Sequence, residues 1–468
     1  MSNQASLGDI SGSGSSGSDQ EKESKDLETK EDSFVWKNVA EEWSLVDGTK
    51  IFEVNPSYDA EGEITYIGMD NLQTELPYPS IEGIRDADDY SGKLFTEDDV
   101  IFPRITPCTE NGKRAIIEDI DTEYGIGSTE FIVLSPDQDK LVPWYLFYLV
   151  NSYVVRDYAI SRMRGSTGRQ RVPYSVFRNE LDVALPPKDE QRRIASVLYN
   201  MDQAISKTEE IIEQTQRVKK GLMQDLFTEG YYSHEEFEDS RFAKYPEEWD
   251  SKQVRDLIDE GVIEKIMDGN HGERHPTSED FIEEGIPFVT SDAVWNSHVD
   301  WENAKKISEE TYENLRKGFA EPGDVLLTHK GSVGRVGRVP EDKEKVMLSP
   351  QVTYYRINDE ETLDPEYLKY FFRSSFCQKE MAGHSQQSTR DYIGLTKQKT
   401  LKIHVPKIEE QRKIADALNS MDQKIEREKE EKEELQRLKK GLMQDLLTGS
   451  VRTGEDVRVL DEVVEVEG

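Results

Sequence analysis

The chain has 468 residues, of which 35% are hydrophobic and 33% charged, and its formal net charge is −36. No apolar run approaches the ~18–20 residues that cross a bilayer, and the two cysteines, Cys108 and Cys377, lack a metal-type spacing. The composition therefore argues against a membrane protein, a disulfide framework and a zinc site. We expect a cytoplasmic protein of two to four domains, at roughly 100–200 residues per domain.

The chain begins with an acidic leader, residues 1–32, that is rich in Ser and Gly and lacks the apolar stretch of a signal peptide. Residues 450–468 form a similar acidic tail. Both segments are poor in apolar residues, which predicts that they are disordered.

Residues 33–186 are predicted to form a first mixed α/β domain, here called the first variable half. Its β-rich runs include Ile64–Ile67, Val100–Ile105 and Glu130–Leu134, and an aromatic-rich amphipathic helix follows at 143–160. From Arg156 to Arg178, both included, there are six arginines and a single acid, Asp157.

Such a basic island in an acidic chain indicates contact with an anion, although a charged loop can also be merely solvated. Phosphates give affinity, and Arg and Gln side chains can read base edges in the major groove. We therefore predict the following DNA-binding residues in this half: Arg104, Arg162, Arg164, Arg169, Gln170 and Arg171.

Residues 187–230 are predicted to form one long helix. Pro186 and Pro187 mark its start, no further proline interrupts it, and apolar residues follow a 4-3 spaced seam from Ile194 to Leu226. Lys219 interrupts this seam. The periodicity is that of a coiled coil, and a lone helix of this length could not bury such a stripe.

Residues 231–406 are predicted to form a second mixed α/β domain, with strands at Pro287–Thr290, Asp324–Thr328 and Gln351–Ile357 and an aromatic helix at 365–381. Basic residues again dominate after this helix, and the stretch from His329 to Arg338 contains no acid. The predicted DNA-binding residues of this half are Lys330, Arg335, Gln386, Gln387, Thr389, Arg390 and Lys397.

A second long helix, predicted at 407–449, repeats the first at an offset of 220 residues. The eight residues KKGLMQDL occur unchanged at 219–226 and 439–446, which indicates an internal duplication. We expect the two helices to pair as an antiparallel coiled coil with a pseudo-two-fold axis, although the sequence does not fix their direction; ordinary core helices are the alternative.

Packing alone does not require identical polar residues in the two helices, whereas a binding partner used twice would. The predicted partner-docking residues are therefore the repeated polar ones: Lys219, Lys220, Gln224, Asp225, Lys439, Lys440, Gln444 and Asp445.

The arrangement resembles the specificity subunit of type I restriction–modification enzymes. The resemblance is carried by PPKDEQRRIASVL…KKGLMQDLF at 186–227, by VPKIEEQRKIADAL…KKGLMQDLL at 405–447 and by YPEEW at 245–249. The first half departs from the pattern, because its EEW at 41–43 lacks the preceding proline.

This resemblance implies two target-recognition domains, each reading one part of a bipartite, asymmetric site on double-stranded DNA. It implies that the helices act as a spacer and dock two modification subunits, alongside restriction/translocase subunits. It also implies that this chain carries no catalytic residue, cofactor or metal, since S-adenosylmethionine, ATP and Mg would bind the partner subunits.

Two other classes of function remain open. The chain could be a coiled-coil scaffold that binds only protein, or a variable half could contain a methyltransferase or nuclease. Asn55-Pro56-Ser57-Tyr58 resembles the motif of DNA amino-methyltransferases but lacks its second proline. Gly331–Gly337 lacks the spacing of a phosphate-binding loop, and His271–His275 lacks that of a zinc protease.

Overall fold

The computed structural model describes residues 36, 40–89, 91–270, 275–295, 298–385 and 391–459. The chain folds into two compact units. Unit 1 comprises Met1–Lys207 and Lys432–Gly468, and unit 2 comprises Thr208–Glu431. Each unit therefore contains one variable half, the beginning of one long helix and the end of the other. Both units are mixed α/β, as the sequence predicts.

Unit 1 contains two four-stranded sheets. One has the strand order β2-β9-β6-β7, and the other has the order β4-β3-β8-β5 with β3 and β8 parallel. A separate antiparallel pair joins β1 to β10. The elements are β1 (Ser44–Asp47), β2 (Phe52–Val54), β3 (Glu63–Ile67), β4 (Gly83–Asp86), β5 (Lys93–Phe95), β6 (Val100–Pro103), β7 (Ala115–Ile116), β8 (Gly125–Gly127), β9 (Phe131–Pro136), α1 (Pro143–Asn151), α2 (Tyr153–Ser161), β10 (Asp182–Leu185) and the start of α3 (Lys188–Thr228).

Unit 2 repeats this plan. Its sheets have the orders β14-β22-β19-β20 and β15-β17-β16-β21-β18, and β16 and β21 form the parallel pair. The elements are β11 (Phe237–Asp239), β12 (Lys244–Pro246), β13 (Asp250–Gln253), α4 (Val254–Asp259), β14 (Ile263–Asp268), β15 (Phe281–Ile282), β16 (Ile286–Val289), β17 (Lys305–Ile307), α5 (Glu309–Glu313), β18 (Phe319–Ala320), β19 (Val325–Thr328), β20 (Val336–Arg338), β21 (Val346–Leu348), β22 (Val352–Ile357), α6 (Pro365–Arg373), α7 (Ser375–Ser385), α8 (Leu395–Gln398), β23 (Lys402–Val405) and the start of α9 (Ile408–Thr448).

The strand orders support the duplication. Strand β6 pairs with β7 and β9 in unit 1, as β19 pairs with β20 and β22 in unit 2. The short segments Asp99–Phe102 and Asp324–Leu327 are faintly similar in sequence, and they lead into β6 and β19 respectively. Two stretches that differ in sequence thus occupy the same position in the same topology.

The aromatic helices are each broken into two. Ser152 separates α1 from α2, and its hydroxyl accepts a hydrogen bond from the Val155 amide as an N-cap. Ser374 separates α6 from α7 at the equivalent place. The predicted single helices at 143–160 and 365–381 are therefore wrong in their continuity, because each serine caps a new helix.

The long helices α3 and α9 lie within the predicted ranges 187–230 and 407–449. In unit 1 they run in opposite directions. Asp202 of α3 bonds Lys439 of α9, and Glu190, earlier in α3, bonds Arg452 beyond the end of α9 at 2.7 Å. In the same unit, Leu198 and Leu446 share one apolar core.

The same pairing recurs in unit 2. Lys219 of α3 bonds Asp422 of α9, while Glu410 at the start of α9 accepts a hydrogen bond of 2.9 Å from the Tyr231 amide, beyond the end of α3. Leu226 and Leu418 lie in one core cluster.

Buried Glu-Gln pairs begin both long helices. Glu190 accepts a hydrogen bond from the indole of Trp43, as Glu410 does from that of Trp249, and both distances are 3.1 Å. The side chains of Gln191 and Gln411 bond loop backbone in the same manner. Buried polar groups need such partners, which explains why the Glu-Gln pair recurs.

A buried histidine gives unit 2 a testable pH dependence. The ring of His404 lies 3.8 Å from that of Tyr245 and 4.5 Å from that of Phe376, and burial lowers its pKa to about 4. Because the unfolded chain takes up this proton near pH 6.5 and the folded chain does not, stability is lost as the pH falls from 6.5 to 4.

We expect His404→Phe to keep the ring packing and to remove this loss, which is roughly 1.4 kcal/mol per pH unit over that window. Denaturant midpoints of the two proteins should be similar at pH 7.5 and should separate on acidification. If both midpoints fall equally on acidification, His404 does not contribute to the loss of stability at low pH.

The acidic tail is structured where it begins. Arg452 bonds Glu190, and Thr453 accepts a hydrogen bond from Arg193 at 3.1 Å. The prediction that disorder starts at residue 450 is therefore wrong for these residues, because a buried carboxylate holds them. Residues 460–468 and the leader 1–32 lie outside the described residues. Across the described ranges, no helix is both long and apolar enough to span a membrane.

Candidate DNA-contacting and docking surfaces

A basic hairpin of residues 162–172 extends from unit 1. Arg164 and Arg171 exchange backbone hydrogen bonds of 3.0 and 2.9 Å, and Gly165 and Gly168 take positive φ angles at its tip. Glycine adopts such angles without strain, so the sequence permits this tight turn.

The hairpin is attached to the end of β6. The Val172 amide donates to the carbonyl of Arg104 at 2.8 Å, and the Thr106 amide donates to that of Gln170 at 3.0 Å. The structure therefore brings Arg104, distant in sequence, beside the predicted basic loop.

Three cations surround one aromatic ring at the base of the hairpin. The guanidinium carbon of Arg104 lies 3.9 Å from the ring centroid of Tyr174, that of Arg178 lies 5.6 Å away, and the ammonium of Lys93 lies 5.1 Å away. Cation–π attraction to the ring offsets the mutual repulsion of these cations and keeps them close together. Sequence reasoning did not assign Lys93, Tyr174 or Arg178 to DNA binding, although Tyr174 and Arg178 lie within the basic island 156–178.

The predicted arginines of the hairpin divide into two groups. Arg164 and Arg169 are exposed and have no ion-pair partner among the residues that the structure describes. Arg171 instead forms a bidentate pair with Glu130, with contacts of 2.6 and 2.9 Å. Arg162 lies 3.6 Å from Glu180. We interpret Arg164 and Arg169 as the side chains available to a ligand, and Arg171 as a side chain that shapes the hairpin.

Unit 2 has an equivalent basic edge at the end of β19. The amide of Ile393 donates to the carbonyl of His329 at 2.9 Å, and Lys330 forms a β-bridge with Tyr392. The hydrogen bond from Ile393 to His329 corresponds to the one from Val172 to Arg104 in unit 1. Lys330 is exposed and lines a cleft of about 400 Å³ that also contains Lys305. The predicted residues Gln386, Gln387, Thr389 and Arg390 lie outside the described residues.

The remaining predicted residues of unit 2 have different roles. The guanidinium of Arg335 bonds the carbonyls of Ser291 and Val294 at 3.4 and 3.3 Å and lies 5.1 Å from the ring of Trp295. It therefore supports the loop that exposes Trp295, another aromatic residue that the sequence analysis did not select. Lys397 lies exposed on the short helix α8.

Six of the eight predicted docking residues are exposed on the long helices: Lys220, Gln224, Asp225, Lys440, Gln444 and Asp445. The other two, Lys219 and Lys439, are each only 7% exposed. The expectation that these two lysines lie on the surface is wrong, because each is paired with an aspartate inside its own unit.

Each buried lysine shares an aspartate with a tyrosine, and in unit 2 Arg373 also pairs with that aspartate at 3.3 Å. In unit 1 the carboxylate of Asp202 bonds Lys439 and accepts a 2.8 Å hydrogen bond from the Tyr148 hydroxyl. In unit 2, Asp422 bonds Lys219 and Tyr370 in the same way, with 2.7 Å to the hydroxyl. Burial lowers the pKa of both lysines to about 8, so the aspartates face a cation at neutral pH.

A groove of about 580 Å³ lies beside the exposed docking residues of unit 1. The junction of α1 and α2 forms one side of it, where Tyr153 is 68% exposed. The end of α9 contributes Lys440, Met443 and Gln444. An apolar groove bordered by polar side chains is typical of a binding surface.

The motif that resembles a methyltransferase has a structural role. The Asn55 side-chain oxygen accepts a hydrogen bond from the Val133 amide at 3.1 Å, and the Tyr58 hydroxyl donates to Asp99 at 3.0 Å. These contacts tie the loop after β2 to neighbouring strands. In the histidine-containing segment, 271–274 lie outside the described residues, and His275 packs 5.6 Å from the ring of Phe288.

Comparison with known proteins identifies the class of this molecule. The sequence model of the type I restriction modification DNA specificity domain matches residues 42–217 and 246–437. The MjaVIII specificity subunit of Methanocaldococcus jannaschii is 28% identical over 333 residues, which cover 70% of this chain and 75% of that protein. The putative MjaX specificity subunit of the same organism is 28% identical over 382 residues, 81% and 84% of the two chains.

A solved chain from work on assembly and conformational transition of the type I R-M system has a TM-score of 0.57. It is 18% identical and covers 89% of this chain and all of its own length, which shows a shared fold. The chain therefore belongs to the family of type I restriction–modification DNA specificity domains. It is a DNA sequence-specificity subunit, as the resemblance predicted.

Proposed function

We propose that each unit reads one part of a bipartite, asymmetric site on double-stranded DNA. The observation that carries this proposal is the recurrence of a basic edge at the ends of β6 and β19, in a family member whose net charge is −36. Exposed side chains such as Arg164, Arg169 and Lys330 suit contacts to phosphates and base edges.

We propose further that α3 and α9 form an antiparallel coiled coil with a pseudo-two-fold relation and act as the spacer between the two read segments. The opposite helix directions within each unit and the matched Tyr–Asp–Lys clusters support this. Two modification subunits would dock on the repeated exposed residues of these helices, and restriction/translocase subunits would join that complex.

The chemistry belongs to those partners in this proposal. S-adenosylmethionine, ATP and Mg would bind the partner subunits, and this chain would contribute recognition without catalysis. A cytoplasmic location, predicted from composition, stays a prediction.

The function can be tested by selecting duplexes from a randomised DNA library with the reconstituted complex of this chain and its modification subunits. We expect the selected duplexes to share two short defined segments separated by an undefined gap of constant length. A single contiguous motif, or no enrichment at all, would reject the bipartite reading. A complex that lacks this chain serves as the control and should enrich nothing.

A further inference from the structure

Both long helices contain a glycine that no packing contact among the described residues explains. Gly221 in α3 and Gly441 in α9 occupy equivalent places within helix interiors, where glycine is the poorest helix former after proline. A Cβ atom built at either position would meet no atom of another described part of the chain within 4 Å. Internal packing would therefore tolerate a better helix former at both positions.

Each glycine lies beside an exposed apolar residue on the same helix face. Val218, three residues before Gly221, is 58% exposed, and Leu438, three residues before Gly441, is 52% exposed. Residues three apart on a helix are surface neighbours. The two helices therefore offer a partner the same kind of apolar contact at two equivalent positions.

Unpaired cations border both apolar positions. Arg217 and Lys220 in α3, and Arg437 and Lys440 in α9, are exposed and have no ion-pair partner within the described part of the chain. In a chain with 95 acidic and 59 basic side chains, unpaired cations at matched positions indicate an acidic partner.

We propose that Gly221 and Gly441 are the points of closest approach for one kind of partner segment, an acidic amphipathic helix of the modification subunit. Its apolar stripe contacts Val218 or Leu438, its acidic side chains pair with the neighbouring Arg and Lys, and its backbone crosses over the glycine. In unit 1 the groove beside Lys440 and Tyr153 receives the flanking apolar side chains. This rests on the proposed docking of two modification subunits.

The proposal predicts opposite effects on the chain and on the complex. Gly221→Gln and Gly441→Gln should leave the isolated full-length chain as stable as the wild type or more so, because glutamine favours helix and the added side chain extends into open space. Each should weaken docking at its own site by about tenfold or more, which corresponds to one lost central contact.

The measurement is a titration of full-length chain with the modification subunit, followed by the mass of the complex formed and by thermal unfolding of the chain alone. We expect two subunits bound to the wild type, one bound tightly to either single variant and none bound tightly to the double variant. Gly383→Gln is the matched control, because Gly383 is an exposed glycine of α7 with no described atom close to its Cβ position, and this variant should bind two subunits.

A charge variant adds an independent readout. Arg437→Glu should weaken docking and reduce its dependence on salt, while Lys424→Glu, an exposed lysine elsewhere on α9, should not. If the glutamine variants bind two subunits with wild-type affinity, the close-approach proposal is rejected. If the wild-type chain binds none, the proposed docking function itself fails.

Discussion

Asp202→Ala is expected to destabilise unit 1 by roughly 3–5 kcal/mol, the usual consequence of removing one partner from a buried ion pair. The change leaves the Lys439 ammonium and the Tyr148 hydroxyl without the carboxylate that both now bond. Hydrogen exchange in peptides from α1, the start of α3 and the end of α9 should accelerate.

Two control variants show whether the destabilisation comes from the unpaired buried charge or from general damage to α3. Asp189→Ala removes an exposed carboxylate that pairs with Arg192 in the same helix, and such surface pairs contribute only about 0–1 kcal/mol. The triple variant Asp202→Leu, Lys439→Met and Tyr148→Phe replaces the cluster with apolar groups and should recover most of the lost stability. Equal exchange rates in Asp202→Ala and wild type would contradict the role of the cluster.

The second large effect is expected on DNA recognition. Arg169→Ala should weaken binding by roughly 1–3 kcal/mol if the side chain contacts a base, and the loss should concern only the part of the site that unit 1 reads. Arg164→Ala should act on the same part. Competition binding with duplexes altered in one segment or the other measures the effect.

The hairpin offers a matched comparison for this experiment. Because Arg171 is engaged with Glu130, Arg171→Ala should act through the shape of the hairpin and lower stability as well as affinity. A phosphate contact by Arg169 would instead weaken all duplexes alike and reduce the salt dependence. If Arg169→Ala makes the protein equally insensitive to changes in either DNA segment, and the salt dependence of binding is unchanged, Arg169 does not read one segment.

The sequence predicted the long helices and central strands well because their patterns are local. The 4-3 seam predicted α3 and α9 nearly to their ends, and runs such as Val100–Ile105 and Gln351–Ile357 became strands β6 and β22. The helix break at Ser152 was not predicted, because the apolar pattern continues across it and only the capping hydroxyl marks the start of a new helix.

The candidate sites show where local pattern was insufficient. Lys219 and Lys439 were assigned to the surface because they are polar and repeated, yet Lys219 interrupts the apolar seam, and that seam position indicates burial. Its carboxylate partner lies 203 positions away in sequence, so only the tertiary structure reveals the pair. The three cations around Tyr174 likewise come from separate segments of unit 1.

We propose that this chain alone determines a two-part DNA target. The most direct test is to sequence the methylated bases of the source genome with and without the gene for this chain, and again with a gene encoding Arg169→Ala. We expect a bipartite methylated motif to disappear on deletion, and we expect Arg169→Ala to change one of its segments while the other segment and the gap stay constant. If the motif persists after deletion, or if the methylated motif has no gap, this chain does not determine a two-part target.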